Sequence, residues 1–499
     1  MRFVRRTLAP LALLLSPGLA EAGPADRDML ALQDAVQKAI ARVEPGVACV
    51  LVSRSDAYRA IEERQGRRTD PASELPGHLG GFVVPPSFNT RDDDRHRALL
   101  ALDLSHPDNV PESFGSGLVI DGSGLVLTCA HVVKNATKVY VRLPGGAGSW
   151  ADIHASDPRS DLAVLRLITP PRGLRPVSFG DGGNLRKGQF VVGVANPYAA
   201  GYRDGSPSAS WGIVSNLRRR APGAVTEGDR TLQSFHRYGT LVQTDVRLSN
   251  GCSGGALVNL DGEVVGITSA LSALTGLDAP GGMAVPVDGR MLKIIEVLSR
   301  GEEVEYGFLG VKLGQELRTG RGVTIMEVLP DGPAARAGMQ PRDLLVSING
   351  IPVRENDDLF LQIGSQLAGA ETLLEVIRDD RRIKLPVVSL AKLYVVVPPL
   401  ASRRPPAPGG LRVDYGSVLC KGGDGPYVFD AVVIREVLPG SPAKAIELLQ
   451  PDRVIKRVNG SPVTTPDEFY RAMEQSGGRA TLTVVNADRR EVAVTLQTR

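Results

Sequence analysis

The 499-residue sequence lacks the features that would mark a nucleic-acid binder, a metalloprotein or a membrane protein. Aromatic residues make up only 5% of it, and no basic stretch interleaves with them. The stacking platforms and phosphate-tracking grooves that hold nucleic acid are therefore short of residues. Cysteine occurs four times, at Cys49, Cys129, Cys252 and Cys420, with no CxxC and no Cys/His pair at ligand spacing. A disulfide scaffold and a structural zinc are both disfavoured, and no metal or organic cofactor is implied. Charge of one sign is also missing: 58 Lys and Arg stand against 55 Asp and Glu, so bulk charge points to no particular partner. No stretch reaches 18 uninterrupted apolar residues, the least a helix needs to span a bilayer.

What is abundant is Gly (56) and Pro (36), which favours turns and short strands over long helices. The length calls for about three domains. Residues 1–22 have the layout of a secretory signal peptide: Arg2, Arg5 and Arg6, a short apolar run from Leu8 to Leu19, and Ala20-Glu21-Ala22 as a small-x-small cleavage site. An uncleaved anchor is the alternative. Cleavage removes three Arg and one Glu and leaves a nearly neutral exported chain, periplasmic or secreted, with no stable membrane span. Helical spacing of Met29, Leu30, Leu32, Val36, Ile40 and Val43 predicts a short amphipathic helix, and Gly46–Val52 a buried strand. Residues 54–113 lose periodicity and read as a long insertion. From Gly115 onward, short apolar runs broken by Gly-rich turns predict an all-β barrel or sandwich. Residues 288–299 follow as an amphipathic helix led by Asp288.

The C-terminal half repeats itself. Glu327-Val328-Leu329-Pro330 recurs as Glu436-Val437-Leu438-Pro439, and Ser347-Ile348-Asn349-Gly350 as Arg457-Val458-Asn459-Gly460. Two copies of one domain are expected, at 301–390 and 410–499, joined by a semi-rigid Pro-rich linker over 391–409.

Three segments carry chemistry: Thr128-Cys129-Ala130-His131-Val132-Val133 at a strand end, Ser160-Asp161-Leu162-Ala163 at a strand start, and Ser249-Asn250-Gly251-Cys252-Ser253-Gly254-Gly255. Amide hydrolysis needs a nucleophile, a base and a group that holds the base's tautomer, and Ser253, His131 and Asp161 supply those types. Gly251-Cys252-Ser253-Gly254-Gly255 also fits the G-x-S-x-G elbow, but that chemistry needs a histidine after the serine, and the last of the six histidines is His236. The order His, Asp, Ser matches the chymotrypsin arrangement instead. Asp157 and Asp245 are the competing acids.

These motifs resemble those of HtrA/DegP serine proteases, which carry AHVV-like, SDLAVL-like and GNSGG-like segments. The resemblance covers roughly residues 44–499. It implies a mostly β protein: a chymotrypsin-like double β-barrel over 23–300, then two PDZ-like α+β domains. It implies catalytic His131, Asp161 and Ser253, and an oxyanion hole at Gly251, Cys252 and Ser253. Cys252 departs from the family's Asn, and Ala256 stands where Pro is common. By the same resemblance Leu248, Thr268, Ser269, Ala270 and Met283 line the substrate pocket. An apolar Leu248 cannot neutralise Lys or Arg, so small or medium aliphatic side chains are expected there. Gly307-Phe308-Leu309-Gly310-Val311 resembles the loop by which PDZ domains hold a peptide carboxylate, with Leu359, Phe360 and Ile363 of a following helix accepting the terminal side chain. In the second copy Gly410-Leu411-Arg412-Val413 is a poorer match. The implied partners are unfolded or misfolded polypeptides and C-terminal peptides, within a homo-oligomer built on trimers.

Overall fold

The computed structural model describes residues 24–54, 103–107, 111, 113–220, 234–269, 281–314, 320–395, 400–419 and 428–498. The expected signal peptide, most of the 54–113 insertion, Ala270 and Cys420 lie outside these residues.

An amphipathic helix, α1 (Pro24–Val43), leads into β1 (Val47–Ser53). Every β1 residue is buried, because successive side chains enter two different cores. Ala48, Val50 and Val52 face the barrel interior, while Cys49 and Leu51 join Leu104, Tyr140 and Ala199 in an outer cluster. Strands β2 (Ser113–Val119), β3 (Leu125–Cys129), β4 (Lys138–Arg142), β5 (Gly148–Asp157) and β6 (Leu162–Leu167) pair around β1 in the order β5-β4-β1-β2-β3-β6. Pairing of β5 with β6 closes this first barrel. A short helix, α2 (Ala130–Val133), follows β3 directly.

The second barrel is β7 (Phe190–Ala195), β8 (Ser208–Arg219), β9 (Leu241–Thr244), β10 (Ala256–Val258), β11 (Val264–Ser269) and β12 (Gly282–Pro286), closed in the order β10-β11-β12-β9-β8-β7. Helix α3 (Gly289–Ser299) follows the second barrel, and Asp288 caps it as expected by accepting the N–H groups of Arg290 and Met291 at 3.0 and 2.9 Å.

Two similar units follow. Each is an antiparallel sheet whose first strand lies at an edge: Val311–Leu313 in one, Leu411–Tyr415 in the other. Their short helices are α4 (Pro333–Arg336) and α5 (Asn356–Gly364) in the first unit and α6 (Pro466–Glu474) in the second. The internal repeat has a structural counterpart at its Asn-Gly pairs. Asn349 and Gly350 have φ of 50° and 79°, Asn459 and Gly460 of 50° and 83°. A two-residue hairpin turn needs positive φ at both positions, which Asn-Gly adopts most readily. Asn349 Oδ1 then accepts the Leu373 N–H, and Asn459 Oδ1 the Thr481 N–H, each at 2.8 Å.

The Pro-rich stretch differs from the spacer expected. Ala391–Lys392 pairs with Gly307–Phe308, and Leu400–Ala401 pairs with Ala155 and Ser156 on the open edge of β5. Ser402 adds a bond to His154 Nδ1 at 2.8 Å. Backbone pairing along an available strand edge pins this segment to the first barrel.

Candidate active site

His131 lies on α2, immediately after β3. Ala130 N–H donates to the Asp161 carbonyl at 2.9 Å and fixes the start of that turn. Asp161 precedes β6 with φ of 56°, an uncommon conformation for a residue with a side chain. From there its carboxylate meets His131 twice. Oδ1 accepts the His131 backbone N–H at 3.0 Å, and Oδ2 accepts Nδ1–H at 2.7 Å. His131 Nε2 is then 2.9 Å from Ser253 Oγ. Asp161 and Ser253 are buried and His131 is half-buried. With Nδ1–H held by a carboxylate, Nε2 presents its lone pair to the Ser253 hydroxyl, the geometry of a base about to accept a proton.

Ser253 sits in a turn between β9 and β10 that only glycine can build. Gly251 has φ of 94°, and a Cβ there would lie 2.5 Å from the Asn196 carbonyl oxygen. Gly254 has φ of 87°, and its Cβ would lie 2.2 Å from the Ser116 carbonyl oxygen. Ser116, on β2 of the other barrel, grips this turn from both sides. Its N–H donates to the Ser253 carbonyl and its hydroxyl to the Gly251 carbonyl, each at 2.8 Å. Thr268 Oγ1 donates to the Cys252 carbonyl at 2.5 Å. With the Gly251 and Cys252 carbonyls held in this way, the turn between them is rigid, as an oxyanion hole requires of its donors.

The competing acids are occupied elsewhere. Asp157 is buried, and burial raises its pKa. It accepts bonds from Ser160 N–H at 2.9 Å, from the Ser160 hydroxyl and from the Tyr306 hydroxyl. Asp245 is exposed and accepts the Ile213 N–H at 2.6 Å. Neither cysteine beside the site is activated or bridged. Cys129 and Cys252 are free thiols. Burial, reinforced by Asp161, holds Cys129 well above the ordinary thiol range, and burial likewise raises Cys252. Cys252 Sγ accepts the Ser249 N–H at 3.4 Å, while the Cys129 thiol points to the Thr268 carbonyl at 3.7 Å. Neutral buried thiols are poor nucleophiles.

Leu248 is half-buried and packs against Gly282 and Gly193, where added Cβ atoms would lie 2.4 and 3.6 Å from its methyl carbons. Ser269 is fully buried and pairs with Met283 across β11 and β12. Of the expected PDZ loop, Gly310 has φ of 79°, and Val311 begins the edge strand. Leu309 is core, and the Phe308 ring faces Phe429 of the second unit with centroids 6.3 Å apart. Phe360 differs from expectation as well: its ring stacks on Tyr238 of the double-barrel half. Ser116, His236 and Tyr306 were not among the residues singled out from sequence. They act across sequence gaps of 76 to 149 residues, and no local motif carries such contacts.

Residues 115–267 match the trypsin-like peptidase domain family, and residues 324–378 the PDZ domain family. A probable periplasmic serine endoprotease DegP-like from Pseudomonas fluorescens is 32% identical over 373 residues, 72% of this chain and 73% of that one. The DegP-like protein of Ectopseudomonas mendocina is 31% identical over 445 residues, 86% of this chain and 89% of its own. The periplasmic pH-dependent serine endoprotease DegQ of Escherichia coli is 32% identical over 394 residues, 76% and 79% of the two chains.

Proposed function

The chain belongs to the HtrA/DegP family of periplasmic serine endoproteases, and from that premise we propose how its residues cleave polypeptides. Ser253 attacks the scissile carbonyl, and His131 takes its proton at Nε2. Asp161 holds the Nδ1–H tautomer and stabilises the imidazolium that forms. The N–H groups of Gly251 and Ser253 receive the oxyanion, and the Cys252 side chain does not enter the reaction. His131 then gives that proton to the leaving amine as the scissile C–N bond breaks and the acyl group stays on Ser253. In the second half His131 takes a proton from the water that attacks the acyl carbonyl, and returns it to Ser253 Oγ as the ester bond breaks. The observation that carries this reading is the unbroken line from Asp161 Oδ2 to His131 Nδ1 at 2.7 Å and from Nε2 to Ser253 Oγ at 2.9 Å.

Substrates are unfolded or misfolded polypeptides in the periplasm, cleaved without ATP after small or medium aliphatic residues that fit beside Leu248. Among the described residues no helix is long and apolar enough to cross a membrane. The first PDZ domain recruits peptide ends and regulates cleavage, and the working form is a homo-oligomer built on trimers. The test is digestion of unfolded casein by wild type and Ser253→Ala, with the cleavage sites mapped. Cleavage that persists in pure Ser253→Ala discards the mechanism, and cleavage after Lys or Arg discards the pocket assignment.

A further inference from the structure

His236 is fully buried and lies off the line of Ser253, His131 and Asp161. It sits in a single helical turn, Phe235–Tyr238, started by Ser234, whose hydroxyl accepts the His236 N–H at 3.3 Å. Its ring reaches from the second barrel to the first. Nε2 is 2.7 Å from the Ser160 carbonyl oxygen, and Nδ1 is 2.7 Å from the Thr240 hydroxyl. A carbonyl oxygen only accepts, so Nε2 carries the proton and the Thr240 hydroxyl donates to Nδ1. One neutral tautomer satisfies both contacts.

The Ser160 carbonyl belongs to the peptide that enters Asp161. The peptide that leaves Asp161 is held as well, since its carbonyl accepts the Ala130 N–H at 2.9 Å. Turning Asp161 out of its φ of 56° therefore breaks one of these two bonds. Left-handed backbone at a residue other than glycine persists only where its surroundings over-determine it. Asp157 adds a third hold by accepting the Ser160 N–H at 2.9 Å.

We infer that His236 is a positioning residue for the reaction: its Nε2–H bond to the Ser160 carbonyl holds Asp161 in the left-handed conformation that aims both carboxylate oxygens at His131. This rests on the reading of Ser253, His131 and Asp161 as the catalytic residues. Ser253 and His236 come from one barrel, and His131 and Asp161 from the other. The same bond therefore keeps the two halves of the site in register.

The test uses the full chain and a fluorogenic unstructured peptide. His236→Phe keeps the volume and removes both bonds, whereas His236→Gln keeps an N–H donor within reach of Ser160. His236→Phe should lower kcat about tenfold to a hundredfold with KM within about twofold, the signature of a displaced catalytic group and not of lost binding. His236→Gln should recover most of that loss. Wild-type kcat in His236→Phe overturns the inference. So does equal impairment of both variants when their unfolding midpoints match wild type. Should His236→Phe fail to fold, Thr240→Val removes only the donor that fixes the tautomer. A several-fold fall in kcat supports the inference, and an unchanged kcat overturns it. Turnover surviving in Ser253→Ala discards the catalytic assignment itself, whereas an inert Ser253→Ala beside a fully active His236→Phe overturns the present inference alone.

Discussion

Tyr238 of the catalytic half and Phe360 of the first PDZ helix stack with ring centroids 5.4 Å apart and 25° between their planes. Arg218 and Arg220 flank the stack with ion pairs to Asp358 and Asp357, each at 2.5 Å. Helix α5, which the peptide-binding proposal makes the back of the groove, is thus also the contact with the turn that carries His236. A ligand shifts activity only if it binds the active arrangement more tightly, and this stack is where such a difference would be felt. Phe360→Ala should leave basal casein cleavage within about twofold of wild type and abolish stimulation by a peptide ending in Val. Full stimulation in that variant would remove α5 as the route.

Replacing the proposed nucleophile, base or orienting acid should act as loss of one machine. Ser253→Ala, His131→Ala and Asp161→Asn should each cost roughly three to six orders of magnitude in kcat, and the double variants little more than the worst single one. Circular dichroism should stay unchanged. Additive losses in the double variants would mean that the three side chains act separately.

Protonation of His236 should destabilise the protein. Burial is the largest influence on it and lowers its pKa. His131 pushes the same way, and Asp161, Asp157 and the bond to Ser160 pull it back up. Its folded pKa lies below the ordinary 6.5, so between those two values the unfolded chain binds more protons. The stabilisation is complete above pH 6.5 and is lost as pH falls through the folded value. His154, lowered by burial and then by Arg166, has the same sign and remains in a His236→Gln variant. Unfolding midpoints from about pH 8 to 5 should therefore fall more steeply for wild type than for His236→Gln. Parallel curves would contradict this.

The residues proposed to do the chemistry were legible because each sits in a local motif: a histidine following β3, an aspartate opening β6, a serine among turn glycines. An all-β barrel or sandwich and the duplicated unit were legible for the same reason, since short strands with Gly-rich turns and Asn-Gly pairs are short-range signals, whereas the division into two barrels came from the family resemblance. What supports the site was not. His236 reaches Ser160 across 76 residues, and Tyr306 reaches Asp157 across 149. The pinning of Leu400 and Ala401 uses backbone groups, which every residue has. Phe360 was assigned to the peptide groove because helical spacing shows which residues share a face, not which neighbour that face meets.

The second PDZ unit is locked to the first through Lys392. Its ammonium is buried 2.9 Å from both Asp414 oxygens, 2.9 Å from Glu305 and 3.3 Å from Glu303. Burial opposes its charge most strongly, but Glu305, Asp414 and Glu303 outweigh that and raise its pKa. Lys392→Met would leave three carboxylates facing one another, with Arg435 the remaining cation among the described residues. Breaking such a buried cluster costs about 3–5 kcal/mol, so the second unit should detach. Limited proteolysis should then cut between the two units in Lys392→Met, while Asp414→Asn, which removes one negative charge and keeps the cation, stays more resistant. Equal resistance in wild type and Lys392→Met would rule out the lock.

The two PDZ units should differ in peptide binding, because Tyr470 closes the second. A peptide adds to a PDZ domain as a strand along the free sheet edge, so the outward N–H and carbonyl groups of that edge must be available. In the second unit that edge is Leu411–Tyr415, and Val413 N–H already donates to the Tyr470 hydroxyl at 3.1 Å. The Tyr470 hydroxyl in turn lies 3.5 Å from the Val413 carbonyl. The ring comes from α6, the helix across the groove, so it stands where the peptide backbone would lie. Entry would require breaking this contact and moving a half-buried ring, a cost of about 1–3 kcal/mol that weakens a strand-addition ligand of about micromolar affinity roughly tenfold to a hundredfold, out of reach of a titration at micromolar concentrations. Calorimetry of full-length Ser253→Ala with a peptide ending in Val should therefore give one site per chain. Amidation of the peptide should abolish that site. Tyr470→Ala should open a second site without weakening the first. Two sites in the protein with Tyr470 in place would show that the second unit is not closed, and one site that survives amidation would show that the loop at Gly307–Val311 does not hold a carboxylate.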